Sequence, residues 1–123
     1  MKTSNSRERL EKAIAILRKA RQTPEMYFSP ITPEAVQHWL HGFQTGLYVA
    51  NVPWSPESLI AACERRGVTL YTTTNLIAEL RKQGKSEDEV AMTLIDIAEE
   101  MWESLLSHGA EPPDAMDSRQ RPA

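Results

Sequence analysis

The stretch that decides the fold runs from residue 86 to residue 109 and reads SEDEVAMTLIDIAEEMWESLLSHG. Ser86 and Glu89 form the pattern of a capping box, in which each side chain satisfies a free backbone amide of the other residue. Apolar residues then recur every three or four positions, as they do along a helix that packs against a core. They are Val90, Ala91, Leu94, Ile95, Ile97, Ala98, Met101, Trp102, Leu105 and Leu106.

These apolar positions cover about half of the circumference of the predicted helix, which is more than one neighbouring helix can bury. Two interpretations stay open. Either several helices surround this one, or the part around Met101 and Trp102 is left uncovered as a dimer or partner surface. The acidic residues on the opposite side, from Asp96 to Glu103, are interpreted as a solvated face, because they lack the EF-hand loop pattern.

Two helices upstream begin with a hydroxyl residue followed by proline. Thr32-Pro33 and Ser55-Pro56 each combine a capping side chain with a residue whose backbone is already suited to the first helical turn. The first of these helices is predicted over residues 32–51. The second is predicted to end at Gly67, which adopts a left-handed backbone more easily than other residues.

Two further helices are predicted at the N-terminus and ahead of the last helix. Asn5 or Ser6 is expected to cap a helix that runs to about Gln22, with Pro24 stopping it. Thr73 or Thr74 is expected to cap a helix over residues 75–83. On the first helix one stripe is apolar and is predicted to be buried: Leu10, Ala13, Ile14, Leu17 and Ala20.

The fold class that follows is all-α. The segment 68–73 is β-branched and aromatic, but no second strand accompanies it, so it is predicted to be irregular or to lead into a helix. The 123 residues suit one domain. We predict a compact bundle of about five helices over residues 1–109 and a disordered tail over 110–123, where prolines replace the apolar periodicity.

Charge is distributed unevenly along the chain, although its formal net value is only −3. Residues 1–21 are strongly basic, and residues 86–117 contain no lysine or arginine among many carboxylates. One interpretation is a basic arm that binds nucleic acid. The interpretation that we favour is that the two ends of the chain lie together, either within one molecule or between copies.

The helix predicted over residues 32–51 has an apolar face and an opposite face that carries His38, His41 and Tyr48. Gly42 and Gly46 lie between them, and each costs helix stability relative to alanine. A close helix crossing is the favoured explanation for them, and a ligand that approaches the backbone is the alternative. The aromatic residues around this helix are predicted to be buried or nearly so: Tyr27, Phe28, Trp39, Phe43 and Trp54.

The sequence contains no recognised catalytic, cofactor-binding or metal-binding pattern. The chain lacks a P-loop, a dinucleotide-binding motif and a nucleophile elbow. His38 and His41 have a spacing that lets two side chains share a metal ion, but a zinc site needs three or four ligands. Cys63 is predicted to be a buried apolar residue, with a thiol activated by Arg65 and Arg66 as the alternative. We therefore predict neither an enzyme nor a bound cofactor or metal.

Residues 56–84 also have the outline of a helix-turn-helix, with Arg81 and Lys82 ending the second helix. This DNA-binding regulator is the alternative function. The long connection and the acidic composition of the chain argue against nucleic acid as a partner.

The segment Thr23-Pro24-Glu25-Met26-Tyr27, followed by Trp39-Leu40-His41-Gly42-Phe43, resembles the opening of small uncharacterised bacterial helical proteins. Their pattern is Arg-Pro-x-Met-Tyr followed by a helix with an aromatic-Leu-x-Gly-aromatic run, and Thr23 stands here in place of the arginine. Some of these proteins are thought to be immunity partners of toxins. The resemblance covers about a fifth of the chain and implies a protein-binding role.

The sequence as a whole predicts a cytoplasmic protein that binds another protein or itself. No apolar run reaches the roughly 20 residues that cross a bilayer, and the single cysteine is typical of a reducing compartment. The predicted contact surfaces are Met101 with Trp102 on the last helix, and His38, His41 and Tyr48 on the helix of residues 32–51.

Overall fold

The computed structural model describes residues 2–52, 54–70 and 75–107. It contains five α-helices: α1 Lys2–Gln22, α2 Pro33–Val49, α3 Pro56–Glu64, α4 Leu76–Lys82 and α5 Glu87–Ser107, with a 3₁₀ turn at Pro24–Met26. These ranges hold no strand, so the all-α prediction is confirmed. The predicted tail at 110–123 lies outside the described residues.

Helix α5 is the centre of the fold, because α1, α2, α3 and α4 all pack against it. Its apolar half-circle is therefore covered from several sides, which confirms the first of the two interpretations. The prediction of an uncovered surface around Met101 and Trp102 is wrong, since these side chains are only 3% and 1% exposed. The apolar stripe predicted on α1 is also buried.

The three capping motifs read from the sequence are present. The Ser86 amide donates a hydrogen bond to the Glu89 carboxylate at 2.8 Å, and the Glu89 amide donates to the Ser86 hydroxyl at 3.1 Å. The Thr32 and Ser55 hydroxyls each accept a hydrogen bond from a backbone amide of the first turn at 3.1 Å. Each bond satisfies an amide that has no partner within its own helix.

Two predicted helix starts are wrong. Helix α1 begins at Lys2 and continues through Asn5 and Ser6, so neither residue caps it. Helix α4 is capped by Asn75, whose side chain accepts a hydrogen bond from the Ala78 amide at 3.2 Å. Asparagine is as good a cap as threonine, and its position one residue further along places its oxygen at the first turn.

Helix α3 is followed by a Schellman motif. Gly67 has a φ of 81°, and its amide bonds to the Glu64 carbonyl at 3.0 Å. The Val68 amide bonds to the Cys63 carbonyl at 3.0 Å, and the Val68 side chain is buried. The prediction that Gly67 ends this helix is confirmed, because the motif needs a left-handed residue at this position.

Helix α2 ends in the same motif, built on asparagine. Asn51 has a φ of 68°, and the Val52 amide bonds to the Leu47 carbonyl at 2.7 Å. Asparagine is one of the few residues with a side chain that adopts this conformation at moderate cost. The helix therefore ends at Val49, two residues before the predicted end.

An aromatic cluster fills the space between the 3₁₀ turn, α2 and α5. Its rings contact in sequence from Tyr27 and Phe28 through Trp39 and Phe43 to Trp102, with centroid distances of 5.0 to 6.3 Å. Phe28 is buried, and the other rings except Trp102 are half-buried.

Trp54 and Met26 lie outside this cluster and are exposed. Trp54 is 37% exposed, so the prediction that it is buried is wrong. It lies between α2 and α3, beyond the turn at Asn51. Met26 is 78% exposed because the 3₁₀ turn directs the two residues after it towards α2 and leaves Met26 outside.

The carboxylates of α5 are paired with arginines of α1 and α4 and with two arginines that directly follow α3. On the α1 side, Arg18 donates to Glu99 at 2.8 Å and also contacts Glu103, and Arg21 donates to Asp96 at 2.9 Å. This confirms that the basic and acidic ends of the chain lie together.

On the α3 side, Arg66 donates to Glu100 at 2.7 Å, and Arg65 contacts the same carboxylate. Together with the pairs to α1, these contacts show that the acidic residues predicted to form a solvated face are paired with arginine, while Asp96 and Glu103 stay partly exposed. The α5 carboxylates thus link α5 to α1 and to the residues that follow α3.

Candidate interaction surface

Half of α2 is exposed, because this helix packs mainly against α5 and buries one stripe along Val36. Its ends are tied to the rest of the molecule by arginines. Arg81 donates to Glu34 in the first turn at 2.9 Å, and Arg9 donates to the Ala50 carbonyl beyond the last turn at 2.9 Å. We call the exposed half the α2 face, which consists of Gln37, His38, His41, Gly42, Thr45, Gly46, Tyr48 and Val49.

The α2 face contains no formally charged residue. The chain has no Asp, Glu, Lys or Arg between Glu34 and Glu57, although 25% of its residues are of these four types. Two large side chains of the face are strongly exposed, Tyr48 at 66% and Val49 at 77%. Depletion of charge and enrichment in aromatic residues are the compositional features of the centre of a protein interface.

The two glycines of the α2 face are not explained by packing within the molecule. A Cβ atom placed on Gly42 or Gly46 meets nothing within 4 Å. The prediction of a close helix crossing at these residues is therefore wrong. Both glycines lie on the solvent side of α2, where they leave a strip of helix backbone exposed.

His38, His41 and Tyr48 are exposed together on this face, as the sequence predicted for their position. Their role stays a prediction. Within the described residues, no group of three or more histidine, cysteine, aspartate and glutamate side chains is arranged to hold a metal ion.

A groove runs beside the α2 face, between α2 on one side and α3 and α4 on the other, with α5 as its floor. Its volume is about 170 Å³. Its rim carries Gln37, His41 and Gln44, and its walls and floor are apolar: Leu40, Leu59, Leu76, Leu94, Ile97, Ala98, Met101 and Trp102. No lining residue carries a formal charge. We call this feature the α2 groove.

The groove brings together residues that the sequence assigned to two separate surfaces. His41 belongs to its rim, whereas Met101 and Trp102 contribute to its floor. Trp102 also packs edge to face with Phe43 at a centroid distance of 5.8 Å. Its buried indole N–H has no hydrogen-bond partner among the described residues, which is uncommon for a buried donor.

Cys63 is fully buried on α3. Burial raises the pKa of its thiol, and the nearby positive charge of Arg66 only partly opposes this effect. The prediction of a buried apolar cysteine is confirmed. The alternative of an activated thiol is contradicted, because the guanidinium of Arg66 is engaged by Glu100 and by the Ala62 carbonyl.

The carboxylates that pair with arginine respond to two opposing effects. For Glu100, burial favours a higher pKa, but hydrogen bonds from Arg66 and Arg65 outweigh it and lower the pKa below the usual value. For Glu99, burial dominates, and the pKa is raised despite the hydrogen bond from Arg18.

Residues 56–84, predicted as an alternative to form a helix-turn-helix, have a connection between their two helices that is long for this motif. Residues 65–75 separate α3 from α4, whereas such motifs join their helices by a turn of three or four residues. Arg81, at the end of α4, is paired with both Glu34 and Glu87, and Lys82 is paired with Glu79. The DNA-binding function stays a prediction, with its basic residues already occupied by carboxylates.

The motif at residues 23–27 forms the 3₁₀ turn and brings Tyr27 against Trp39, at a centroid distance of 5.8 Å. Comparison with protein-family models, with curated proteins and with solved structures finds no match for the chain. The resemblance to small bacterial helical proteins therefore stays a prediction. No helix within the described residues combines the length and the apolar character that crossing a membrane requires.

Sequence reasoning missed the strongest property of this surface. The absence of charge from residue 35 to residue 56 is visible in the sequence, but helix-by-helix analysis of apolar stripes does not reveal it. The groove could not be predicted from the sequence, because its lining comes from four helices whose relative positions local sequence patterns do not specify.

Proposed function

We propose that this chain is a non-catalytic protein-binding module and that the α2 face is its binding surface. The observation that carries the proposal is an exposed helix face without formal charge in a chain in which 25% of the residues are Asp, Glu, Lys or Arg. Tyr48 and Val49 project from this face and supply the apolar contact area that a partner would bury.

The two exposed glycines support the same function. Each costs about 1 kcal/mol of helix stability relative to alanine. No contact among the described residues requires Gly42 or Gly46, since the space beside each is open. Local rules of stability are commonly broken at functional sites, where the surface serves something outside the molecule.

The α2 face is also held in place before any partner arrives. Arg81 and Arg9 fix the two ends of α2, and the apolar stripe along Val36 fixes its underside. A surface that is already ordered loses less conformational entropy on binding than a mobile one.

Site-specific photo-crosslinking in cells tests this function. A photoreactive amino acid is introduced at Thr45 in the middle of the α2 face and, as a matched control, at Lys12 on the exposed side of α1. We expect an adduct of defined mass from position 45 and none from position 12. Equal labelling at the two positions, or no defined adduct from position 45, contradicts the proposal.

A further inference from the structure

We propose that the α2 groove binds a small uncharged aromatic molecule with a hydrogen-bond acceptor, and that the indole N–H of Trp102 donates a hydrogen bond to this acceptor. The site goes beyond the proposed function, because its ligand is a small molecule in the groove and not a protein on the α2 face. Two observations carry the inference. The groove is lined without formal charge, and one of its floor residues has a buried N–H without a partner among the described residues.

Trp102 contributes the only side-chain N–H to the floor of the groove. The other floor residues are Leu94, Ile97, Ala98 and Met101, whose side chains have no hydrogen-bond donor. Trp102 is 1% exposed, so water does not replace the missing partner of its N–H. An unpaired buried donor destabilises the folded state, because it has given up its hydrogen bonds to water and gained none in return. A ligand that fills the groove lies against Trp102, and an acceptor on that ligand supplies the missing bond.

The lining of the groove selects against a charged ligand. None of the lining residues carries a formal charge, so a charged group in the groove would lose part of its hydration without gaining an opposite charge. The apolar walls favour a hydrophobic ligand instead. Trp102 favours an aromatic one, since aromatic rings pair favourably with each other, as Trp102 already does with Phe43.

The size of the groove limits the ligand to one ring with a small substituent. The volume of the groove is about 170 Å³. A cavity of about 150 Å³ with apolar walls accommodates benzene in another protein. Sites for drug-sized molecules are larger, from about 300 Å³ upward. Because the substituent is small, the acceptor is attached directly to the ring, as it is in an aryl ketone or an aryl aldehyde.

The polar rim of the groove contributes less to the recognition of an acceptor than Trp102 does. Gln37 and His41 are exposed and Gln44 is half-buried, so water reaches all three side chains. A ligand acceptor that replaces this water exchanges one hydrogen bond for another and gains little. The Trp102 N–H has no bond to exchange, so a bond from it is the larger gain. A preference for ligands with an acceptor therefore reports on Trp102.

Nuclear magnetic resonance of the isotope-labelled full chain tests the inference with two probes. Acetophenone has one ring and a carbonyl acceptor, and ethylbenzene has a similar shape without the acceptor. The three tryptophans of the chain give three indole N–H signals, and Trp102→Phe identifies the signal of Trp102. We expect acetophenone to shift this signal downfield, as a new hydrogen bond does, and the shift to approach saturation. At the same concentration, ethylbenzene should occupy the groove about tenfold less and leave this signal almost unchanged.

The location of the ligand and the role of the N–H are tested separately. The methyl signals of Leu40, Leu59 and Leu76, which line the groove from three helices, should shift together with acetophenone and more weakly with ethylbenzene. Trp102→Phe keeps a ring but removes the N–H, so it should bind the two probes with nearly equal affinity. Trp54→Phe is the matched control, because Trp54 does not line the groove, and it should retain the preference for acetophenone. Circular dichroism checks that both variants are folded; if Trp102→Phe is not, the comparison of the two probes on the wild type still decides.

Three results overturn the inference. The first is the absence of a saturable shift in the groove signals with either probe. The second is equal binding of acetophenone and ethylbenzene by the wild type. The third is a preference for acetophenone that persists in Trp102→Phe, which would assign the acceptor to the rim. None of these results bears on the crosslink from position 45, so the proposed function is decided independently.

Discussion

Replacement of either exposed glycine in α2 by alanine is expected to stabilise the fold. Gly42 and Gly46 lie in the interior of the helix, and a Cβ atom at either position meets nothing within 4 Å. Alanine therefore gains about 1 kcal/mol of helix propensity at each site without a steric cost. The two positions are neighbours one turn apart, so the gain of the double variant should lie between about 1 and about 2 kcal/mol.

Gly84→Ala provides a matched control, because it is expected to lower the stability of the fold. The space beside Gly84 is also open, but its φ is 85°. A residue with a Cβ atom loses about 1 to 2 kcal/mol in this left-handed conformation. Because the space beside all three glycines is open, a difference in stability between the variants reports the effect of backbone conformation and not of packing.

Urea denaturation followed by circular dichroism measures these changes. The measurement is made at low protein concentration, so that association with a partner would not contribute to the midpoint. We expect a higher midpoint with an unchanged slope for Gly42→Ala and Gly46→Ala, and a lower midpoint for Gly84→Ala. A loss of stability in the α2 variants would mean that another part of the molecule contacts these glycines, and it would refute the assignment of the α2 face as free.

Three other expectations follow from local geometry. Asn51→Gly should stabilise the fold by about 1 kcal/mol in urea denaturation, because Asn51 has a φ of 68° that glycine adopts without strain; a neutral result would contradict the cost assigned to this turn. Cys63 should react with a thiol reagent slowly in the native protein and rapidly in urea, because burial shields it and raises its pKa, and fast native labelling would show that α3 opens readily. The pKa of Glu100 is lowered in the folded state, so its contribution to the free energy of unfolding is present above the ordinary glutamate pKa and is lost as the pH falls through the folded pKa. Glu100→Gln should therefore lower the free energy of unfolding by about 1 kcal/mol at pH 7 and by progressively less in acid. A loss of stability that does not depend on pH would exclude the arginine pairs as its source.

Local signals accounted for the elements of the fold, because their causes lie within a few residues. The Ser86 and Glu89 capping box, the proline-led starts at Thr32 and Ser55 and the left-handed Gly67 each act over a single turn. The errors also have local causes. Asn51 ends α2 in a left-handed turn, where the prediction continued the helix. Asn75 caps α4, where the prediction placed the cap on Thr73 or Thr74. Asparagine fits both a left-handed turn and an N-cap.

Prediction of the candidate site requires the arrangement of the helices in space, and local sequence signals carry no information about that arrangement. The apolar half-circle of α5 was equally compatible with a buried helix and with an uncovered surface. Only the approach of α1, α2 and α3 decides between them, and it buries Met101 and Trp102. The exposure of Gly42 and Gly46 likewise follows from the position of α2 on the rim of the bundle, where none of the five described helices covers its outer side.

The distribution of charge makes salt a discriminating variable between the proposed function and DNA binding. Arginine–carboxylate pairs hold α1 and α3 to α5 and fix both α4 and the first turn of α2, whereas the middle of α2 takes no part in any of them. A contact made by the α2 face therefore buries apolar surface without forming or breaking ion pairs. Its dissociation constant should be almost unchanged between low and moderate salt, because screening acts on charges. A complex with DNA would instead weaken by orders of magnitude over the same range, since counterions are released from the phosphates. Association that disappears as salt is raised would show that the charged surfaces, and not the α2 face, carry the binding.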